Sequence, residues 1–177
     1  MARKFEVQSY ATAIKHQVTV SYDHYNSLSI CNIGATAAVS VDLWVTDQNS
    51  GTTNSGITFQ EAATAGTNRV LTTSASASTD VHTDLFNGEK LWKIDGTLFG
   101  SCTGVNSATE IVFTTLENAA AISDAILVGT DYYLLNNVEI PNGATLKLEG
   151  DDFLFDRDGY KLYIKPTVAN AIQTILR

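Results

Sequence analysis

The strongest constraint in this sequence is a set of segments in which every second residue is apolar. Positions 39, 41, 43 and 45 are all Val or Leu, and the same alternation recurs at residues 17–22 and 160–165. A period of two places these side chains on one face of a β-strand, whereas a helix would need apolar residues every three or four positions. The pattern therefore predicts antiparallel strands with one buried face.

Turn-forming residues separate these segments and indicate how they are arranged. Asp, Asn, Pro and Gly cluster at residues 47–51, 141–143 and 157–159, which are positions where strands are expected to reverse. Many short strands with turns about every 8–12 residues are typical of β-sandwiches. We therefore predict an all-β fold, an antiparallel β-sandwich of the Ig-like or jelly-roll-like kind. It has at most one short helix, for which residues 115–122 are the candidate.

The length of 177 residues predicts a single domain, whose core strands lie in residues 1–50 and 131–177. We predict that residues 51–130 form an extended insertion between these core strands. Within it, the apolar residues at 91–99 and 110–115 each predict a strand. Residues 50–80 carry only three charges and few large apolar side chains, too few to offset the entropy of ordering that stretch alone. We expect an arm that orders against another subunit. The predicted contact residues are Thr52, Thr53, Ile57, Phe59, Val70 and Leu71 on the arm, and Trp44 on the sandwich.

Charge and hydropathy exclude several classes of function. The formal charge is −8, and the 11 Lys and Arg residues are scattered along the chain. A protein that binds nucleic acid electrostatically needs a concentrated basic surface. The sequence has neither the apolar run of about 18 residues that a membrane-spanning helix needs nor the apolar core of a signal peptide. We expect synthesis in a cytoplasm, with no nucleic-acid partner and no membrane partner.

The histidines and cysteines form no recognisable site. His16, His24 and His82 are the only histidines; a metal site built from two or three of them stays open, but hydrogen-bonded side chains are the more common use. Cys31 and Cys102 form no C-x-x-C pair, which excludes a zinc site built on cysteines. We expect both thiols to be small buried apolar groups and not a disulfide, which a reducing cytosol disfavours.

A second candidate for a metal is an acidic cluster, which consists of Glu149, Asp151, Asp152, Asp156 and Asp158. Asp156-Arg157-Asp158-Gly159 resembles the start of a calcium loop, but the twelfth position is Thr167 where an EF-hand needs Glu. Asp156 and Asp158 therefore remain calcium candidates, and the alternative is a polar turn that caps strands. No nucleophile elbow, phosphate-binding loop or dinucleotide glycine motif is present. We predict no catalytic residues, no cofactor and no enzymatic activity.

The aromatic residues leave two interpretations open. They could form a flat platform that binds sugars, or they could pack in the core or at subunit contacts. The platform requires Trp44 or Trp92 to be exposed beside Asp or Asn, whereas packing requires Trp44 to cover the sandwich or lie at a contact. The residues concerned are Tyr22, Tyr25, Tyr132, Tyr133, Trp44 and Trp92.

Three stretches together carry a family resemblance. Residues 132–149 read YYLLNNVEIPNGATLKLE, residues 33–47 read IGATAAVSVDLWVTD, and residues 109–113 read TEIVF. This pattern resembles small virion structural proteins of tailed bacteriophages, of the type found in marine myophages that infect cyanobacteria. The resemblance covers less than half of the chain, and residues 50–105 have no counterpart in it.

The resemblance implies a non-enzymatic structural subunit of a tailed-phage virion. Such a subunit would assemble through strand edges and the arm, as a capsid decoration protein or a neck (head–tail) protein. Its partners would be copies of itself and other virion proteins, and its location would be the virion after synthesis in the host cytoplasm. The alternatives are a tail or baseplate component, a carbohydrate-binding or adhesin module on the virion, and a small hydrolase or calcium-dependent enzyme built on the acidic cluster.

Overall fold

The computed structural model describes residues 5–20, 26–34, 36–75, 88–107, 109–150, 156 and 158–177. These residues form fourteen β-strands and no helix, so the predicted all-β antiparallel fold is confirmed. The strands are β1 (Glu6–Ser9), β2 (His16–Gln17), β3 (Ser27–Asn32), β4 (Val39–Asp47), β5 (Thr53–Thr58), β6 (Gly66–Thr72), β7 (Lys90–Trp92), β8 (Leu98–Ser107), β9 (Glu110–Leu116), β10 (Ala125–Val128), β11 (Asp131–Ile140), β12 (Thr145–Glu149), β13 (Tyr160–Pro166) and β14 (Ile172–Leu176).

The chain divides into two compact units. Unit 1 consists of Met1–Val45 and Tyr132–Arg177, and unit 2 consists of Thr46–Asp131. The sequence analysis predicted one domain, with an insertion at about residues 51–130, where the structure has these two units. In the described ranges, no helix has the length and apolar character that a membrane span requires.

Unit 1 contains two four-stranded antiparallel sheets, ordered β1-β14-β3-β12 and β11-β4-β13-β2. The alternating residues of β4 point into a core that they share with Leu28 and Ile30 of β3 and with Leu162 and Ile164 of β13. The faces predicted from the period-two pattern are therefore the buried ones. Removing each large aliphatic side chain from water contributes about 1.5–3 kcal/mol to the stability of the folded chain, and this drives the packing.

The turn between β11 and β12 follows directly from its sequence. The Ala144 N–H donates to the Pro141 carbonyl at 3.0 Å, and Gly143 adopts a φ of 72°. The turn therefore begins at Pro141 and has Asn142 and Gly143 as its central residues. Glycine, at the second central position, accepts the left-handed conformation that a side chain would disfavour. The turn predicted at 141–143 is confirmed, and it sets where β12 begins.

Unit 2 contains one six-stranded sheet, ordered β5-β10-β7-β8-β9-β6. Its two outer strands approach each other just beyond β5 and β6, where Phe59 and Thr73 form a bridge. There the Gln60 N–H donates to the Thr72 carbonyl at 2.9 Å, and the Ser74 N–H donates to the Thr58 carbonyl at 2.8 Å. The sheet therefore curls round on itself, and its inner face encloses a second apolar core.

The prediction of an extended arm without a core is wrong for the described part of residues 51–80. Ile57, Phe59 and Leu71 are fully buried in the core of unit 2. Their apolar neighbours come from residues 91–128, which the sequence places far away and the sheet brings together. Residues 51–75 would bury little apolar area by themselves. Together with the rest of unit 2 they bury enough apolar area to offset the entropy lost on ordering. Residues 76–80, the rest of the predicted arm, lie outside the described ranges.

Three local predictions need correction. Residues 115–122 form no helix, because β9 continues to the buried Leu116 and Ala120 then bridges to Ala63. The strand predicted over 91–99 is two strands, with a tight turn at residues 93–97 in which Gly96 has a φ of 85°. The strand predicted over 17–22 is limited to β2, and residues 21–25 lie outside the described ranges. Sheet geometry overrides weak local propensity at each place.

Candidate functional site

Three consecutive exposed apolar residues lie on β11, at the edge of the sheet β11-β4-β13-β2. Tyr132, Tyr133 and Leu134 are 50%, 53% and 38% exposed. Because consecutive residues of a strand point to opposite faces, apolar groups are exposed on both faces of this strand. β11 also contains no Lys or Arg, which are the residues that commonly guard sheet edges against pairing. We call the segment Asp131–Leu134 the β11 edge.

Three contacts fix the register between β4 and β11. The Asp47 N–H donates to the Thr130 carbonyl at 3.1 Å, and the Thr46 hydroxyl donates to Asp131 Oδ1 at 2.5 Å. The rings of Trp44 and Tyr133 stack with centroids 5.6 Å apart. All three fit one antiparallel register in which residue 44 lies opposite residue 133. By the alternation of such a ladder, the N–H and C=O of Tyr133 point away from β4.

A row of stacked rings crosses this sheet on the face opposite the core. Tyr133 of β11 stacks on Trp44 of β4, and Trp44 stacks on Tyr163 of β13 with centroids 5.9 Å apart and planes inclined by 25°. Lys15 places its ammonium 4.5 Å from the Tyr163 ring centre and 5.7 Å from that of Trp44. We call Tyr163, Trp44 and Tyr133 the aromatic row. It runs from a fully buried ring to a half-exposed ring at the sheet edge.

Lys15 is 3% exposed, although lysine is rarely buried. The faces of the Trp44 and Tyr163 rings carry negative charge density that favours a cation. Sequence reasoning missed this residue, because a single lysine before a short strand carries no pattern. Trp44 Nε1 is buried, and within the described part of the chain no hydrogen-bond acceptor lies in reach of it.

A bend limits the length of the β11 edge. Asn137 has a φ of 51°, and its N–H donates to Asp42 Oδ1 at 2.7 Å. A non-glycine residue in this region marks an irregularity of the strand. The regular part of the strand that can accept another strand therefore lies on the N-terminal side of Asn137.

The structure separates the seven predicted contact residues into two groups. Three are at the surface: Thr52, Thr53 and Val70. Thr52 and Thr53 belong to the pairing of the β5 segment with β10, where the Thr52 N–H donates to the Val128 carbonyl at 3.1 Å. The other four are buried, so their prediction as contact residues is corrected: Ile57, Phe59, Leu71 and Trp44.

The two calcium candidates form a polar turn before β13. Asp156 Oδ1 accepts a hydrogen bond from the Asp158 N–H at 3.1 Å, and the Asp156 carbonyl accepts one from the Tyr160 N–H at 3.0 Å. This is an Asx turn, in which the carboxylate caps the backbone. Within the described ranges, no three His, Cys, Asp or Glu side chains are grouped to hold a metal. Asp151 and Asp152 lie outside those ranges.

Replacing Asp156 by alanine removes this acceptor, and we expect a loss of about 0.5–1.5 kcal/mol in the free energy of unfolding, measured with urea. Asp156→Asn keeps an acceptor oxygen and should recover most of the loss. Because the carboxylate serves the turn, calcium and a chelator should give the same urea midpoint. If calcium raised the urea midpoint and Asp156→Asn abolished that rise, the result would contradict this prediction and support a calcium site at Asp156.

The remaining titratable candidates have structural partners. The His16 ring lies 5.1 Å from that of Tyr10, and its Nε2 is 3.0 Å from the Thr12 hydroxyl. His24 and His82 lie outside the described ranges. Neither cysteine belongs to a disulfide. Cys102 is buried in the core of unit 2 as expected, whereas Cys31 is only half-buried, which corrects the expectation that both thiols are buried.

The tryptophan platform for sugars does not form, because Trp44 and Trp92 are each only 4% exposed. Tyr132 and Tyr133 are the exposed aromatic residues of the predicted set, whereas Tyr22 and Tyr25 lie outside the described ranges. The run of apolar residues at 132–135 is the sequence feature that could have indicated this exposed strand. A run without alternation, however, fits a buried strand as well as an exposed edge. Comparisons of the chain with protein-family models, with curated proteins and with solved structures found no match.

Proposed function

We propose that this chain is a non-enzymatic structural subunit of a tailed-phage virion, which assembles through the β11 edge as a capsid decoration or neck protein. The observation that carries the proposal is the edge itself. Tyr132, Tyr133 and Leu134 expose apolar surface on both faces of a strand at a sheet boundary. An added strand would supply backbone hydrogen bonds along the edge and side chains over both faces, which is the physical basis of β-augmentation.

The resemblance to virion proteins supports the same conclusion. Its longest stretch, residues 132–149, forms most of β11, the turn after it and β12. The residues that resemble a family of assembly proteins therefore include the exposed apolar residues of the edge. The function does not depend on an arm, because Ile57, Phe59 and Leu71 are buried in unit 2.

The distribution of charge also supports assembly through unit 1. Unit 1 contains 8 basic and 9 acidic residues, a net charge of −1, whereas unit 2 contains 3 basic and 10 acidic residues, a net charge of −7. A nearly neutral surface can approach another subunit with little electrostatic cost, whereas a strongly acidic one favours solvation. Unit 1 is thus suited to docking and unit 2 to contact with solvent.

The test is to probe gradient-purified virions of the phage that encodes the chain. We expect mass spectrometry to find the chain at a constant ratio to the major capsid protein, with an abundant cytoplasmic enzyme of the host as the control. Antibody-gold labelling should decorate the capsid surface or the head–tail junction. Labelling of the tail or baseplate would support that alternative instead. A chain found only in the soluble fraction of the lysate would refute the proposal.

A further inference from the structure

We propose that two copies of this chain pair through β12 as antiparallel strands, with a two-fold axis at Leu148. β12 is an outer strand of the sheet β1-β14-β3-β12, and among the described residues no strand pairs with its other side. The pairing would join the sheets of two molecules into one continuous sheet. It uses a different sheet from the β11 edge and goes beyond the proposed function, because it assigns a partner to a second edge of unit 1.

The backbone of β12 has the direction that this pairing requires. The Asn32 N–H of β3 donates to the Ala144 carbonyl at 3.0 Å, and the register between β3 and β12 continues without a bulge. Hydrogen-bonded and non-hydrogen-bonded residues alternate along such a ladder, so the N–H and C=O of Lys147 and Glu149 point away from β3. With the axis at Leu148, Lys147 of one copy and Glu149 of the other would exchange both backbone hydrogen bonds.

The charges of β12 favour this register over its neighbours. Lys147 and Glu149 form an ion pair within the strand, and their side chains are still 45% and 62% exposed. The residues beside them on β3 are Ser29 and Ser27, which carry no charge. With the axis at Leu148, each Lys147 faces Glu149 of the other copy, so the four charges alternate in sign. An axis at Lys147 or at Glu149 would bring like charges together, which destabilises a pair of strands.

The opposite face of β12 supplies apolar area for the contact. Leu146 and Leu148 are half-buried and pack against the core of unit 1. Opposed residues at a non-hydrogen-bonded position have Cα atoms about 4.5 Å apart, so the two Leu148 side chains would contact each other at the axis. Leu146 would lie opposite Gly150 of the other copy, which leaves space for the leucine side chain. Association would remove these apolar groups from water, and that favours the dimer.

A second copy of the chain is the partner that these features specify. An antiparallel partner must present a carboxylate opposite Lys147, an ammonium opposite Glu149 and an apolar side chain opposite Leu148. The segment Lys147-Leu148-Glu149 meets all three conditions when it is paired with itself. The net charge of −1 on unit 1 opposes the approach of two copies only weakly, because long-range repulsion grows with the net charge.

The first test measures self-association of the purified full-length chain by sedimentation equilibrium. We expect a reversible dimer that Lys147→Glu and Glu149→Lys each weaken about tenfold or more, because either change places like charges opposite each other on both sides of the axis. An equimolar mixture of the two variants should form a heterodimer, since the acidic pair of one variant faces the basic pair of the other.

The matched control for this test is Glu117→Lys. It makes the same charge change as Glu149→Lys at an exposed residue of unit 2, and its dimer should persist. A wild-type chain that stays monomeric would overturn the pairing. A dimer that neither single variant weakens would place the contact on another surface and would also overturn it. Weakened variants that do not associate when mixed would contradict the register.

The second test locates the axis without changing a charge. In a Cys31→Ser background, mild oxidation should convert Leu148→Cys to a covalent dimer, because the two opposed Cα atoms lie at a distance that suits a disulfide. The matched control is Leu146→Cys on the same face of β12. Its two copies would lie about 14 Å apart across the axis and should stay monomeric. Equal cross-linking of the two variants would contradict an axis at Leu148.

The pairing and the virion function can fail independently. A monomeric chain found in purified virions would overturn the pairing through β12 and leave the virion function standing. A dimer that the charge reversals at Lys147 and Glu149 weaken, formed by a chain absent from virions, would support the pairing and refute the function.

Discussion

Replacing Phe59 by alanine is expected to lower the free energy of unfolding of unit 2 by about 3–5 kcal/mol. The Phe59 ring is fully buried and lies edge-on to Phe99 at 5.1 Å and tilted to Phe113 at 6.4 Å. Its removal deletes these contacts and leaves a cavity that the surrounding strands fill only in part. If residues 51–80 were an extended arm, the substitution would hardly change the free energy of unfolding. The experiment therefore tests directly whether unit 2 is compact.

The measurement can follow each unit separately, because Trp44 belongs to unit 1 and Trp92 to unit 2. In a Trp44→Phe background, the fluorescence of Trp92 during urea unfolding reports on unit 2. The control is Val70→Ala on β6, where the side chain is half-exposed and the cost should stay within about 0.5 kcal/mol. Equal stability of the Phe59→Ala and Val70→Ala variants would contradict the description of this core.

Alkaline pH is expected to destabilise unit 1 through Tyr10. Burial raises the pKa of this phenol from 10.0 to about 12, although its hydrogen bond with Thr174, at 2.8 Å, acts in the opposite direction. The folded chain keeps Tyr10 neutral while the unfolded chain ionises it. The stabilisation is therefore complete below pH 10 and is lost as the pH rises towards 12. The two-unit shift corresponds to about 2.7 kcal/mol.

Urea unfolding at a series of alkaline pH values measures this loss, with Tyr10→Phe as the test variant. At neutral pH the variant should be less stable by about 1 kcal/mol, because it loses the hydrogen bond. Above pH 10 the difference should shrink and reverse, since phenylalanine does not ionise. Tyr132→Phe, at an exposed tyrosine of β11, is the matched control and should follow the wild type. An unchanged pH dependence in Tyr10→Phe would contradict the assignment to Tyr10.

Several strands could be predicted because their sequences carry the pattern of a half-buried sheet. β4 alternates Val39, Val41, Leu43 and Val45, and all four are buried in the core of unit 1. β12 and β13 lie close to the predicted positions, and the turn before β12 contains the glycine that its second central position requires. In each case, the information lies within about ten residues, which is the range that local reasoning covers.

The candidate site could be predicted only in part, because exposure is not a local property. The run at 132–135 was recognised as a strand, yet its position at a sheet edge depends on which strands pair. Trp44 was predicted as a contact residue, but Tyr133 and Tyr163 stack against it and it is buried. Asp156 and Asp158 were interpreted as calcium candidates or a polar turn, and their geometry is that of the turn.

The sequence by itself determined the all-β fold class and the inward faces of β4 and β13. Alternation and turn chemistry act between near neighbours, so the sequence displays them directly. Tertiary structure alone decided that the insertion is a compact unit. Phe59 is buried against Phe99 and Phe113, which are too far along the chain for local sequence patterns to relate them to Phe59. It also decided that β11 is an edge strand, since long-range pairing determines which backbone groups of a sheet are left facing outwards.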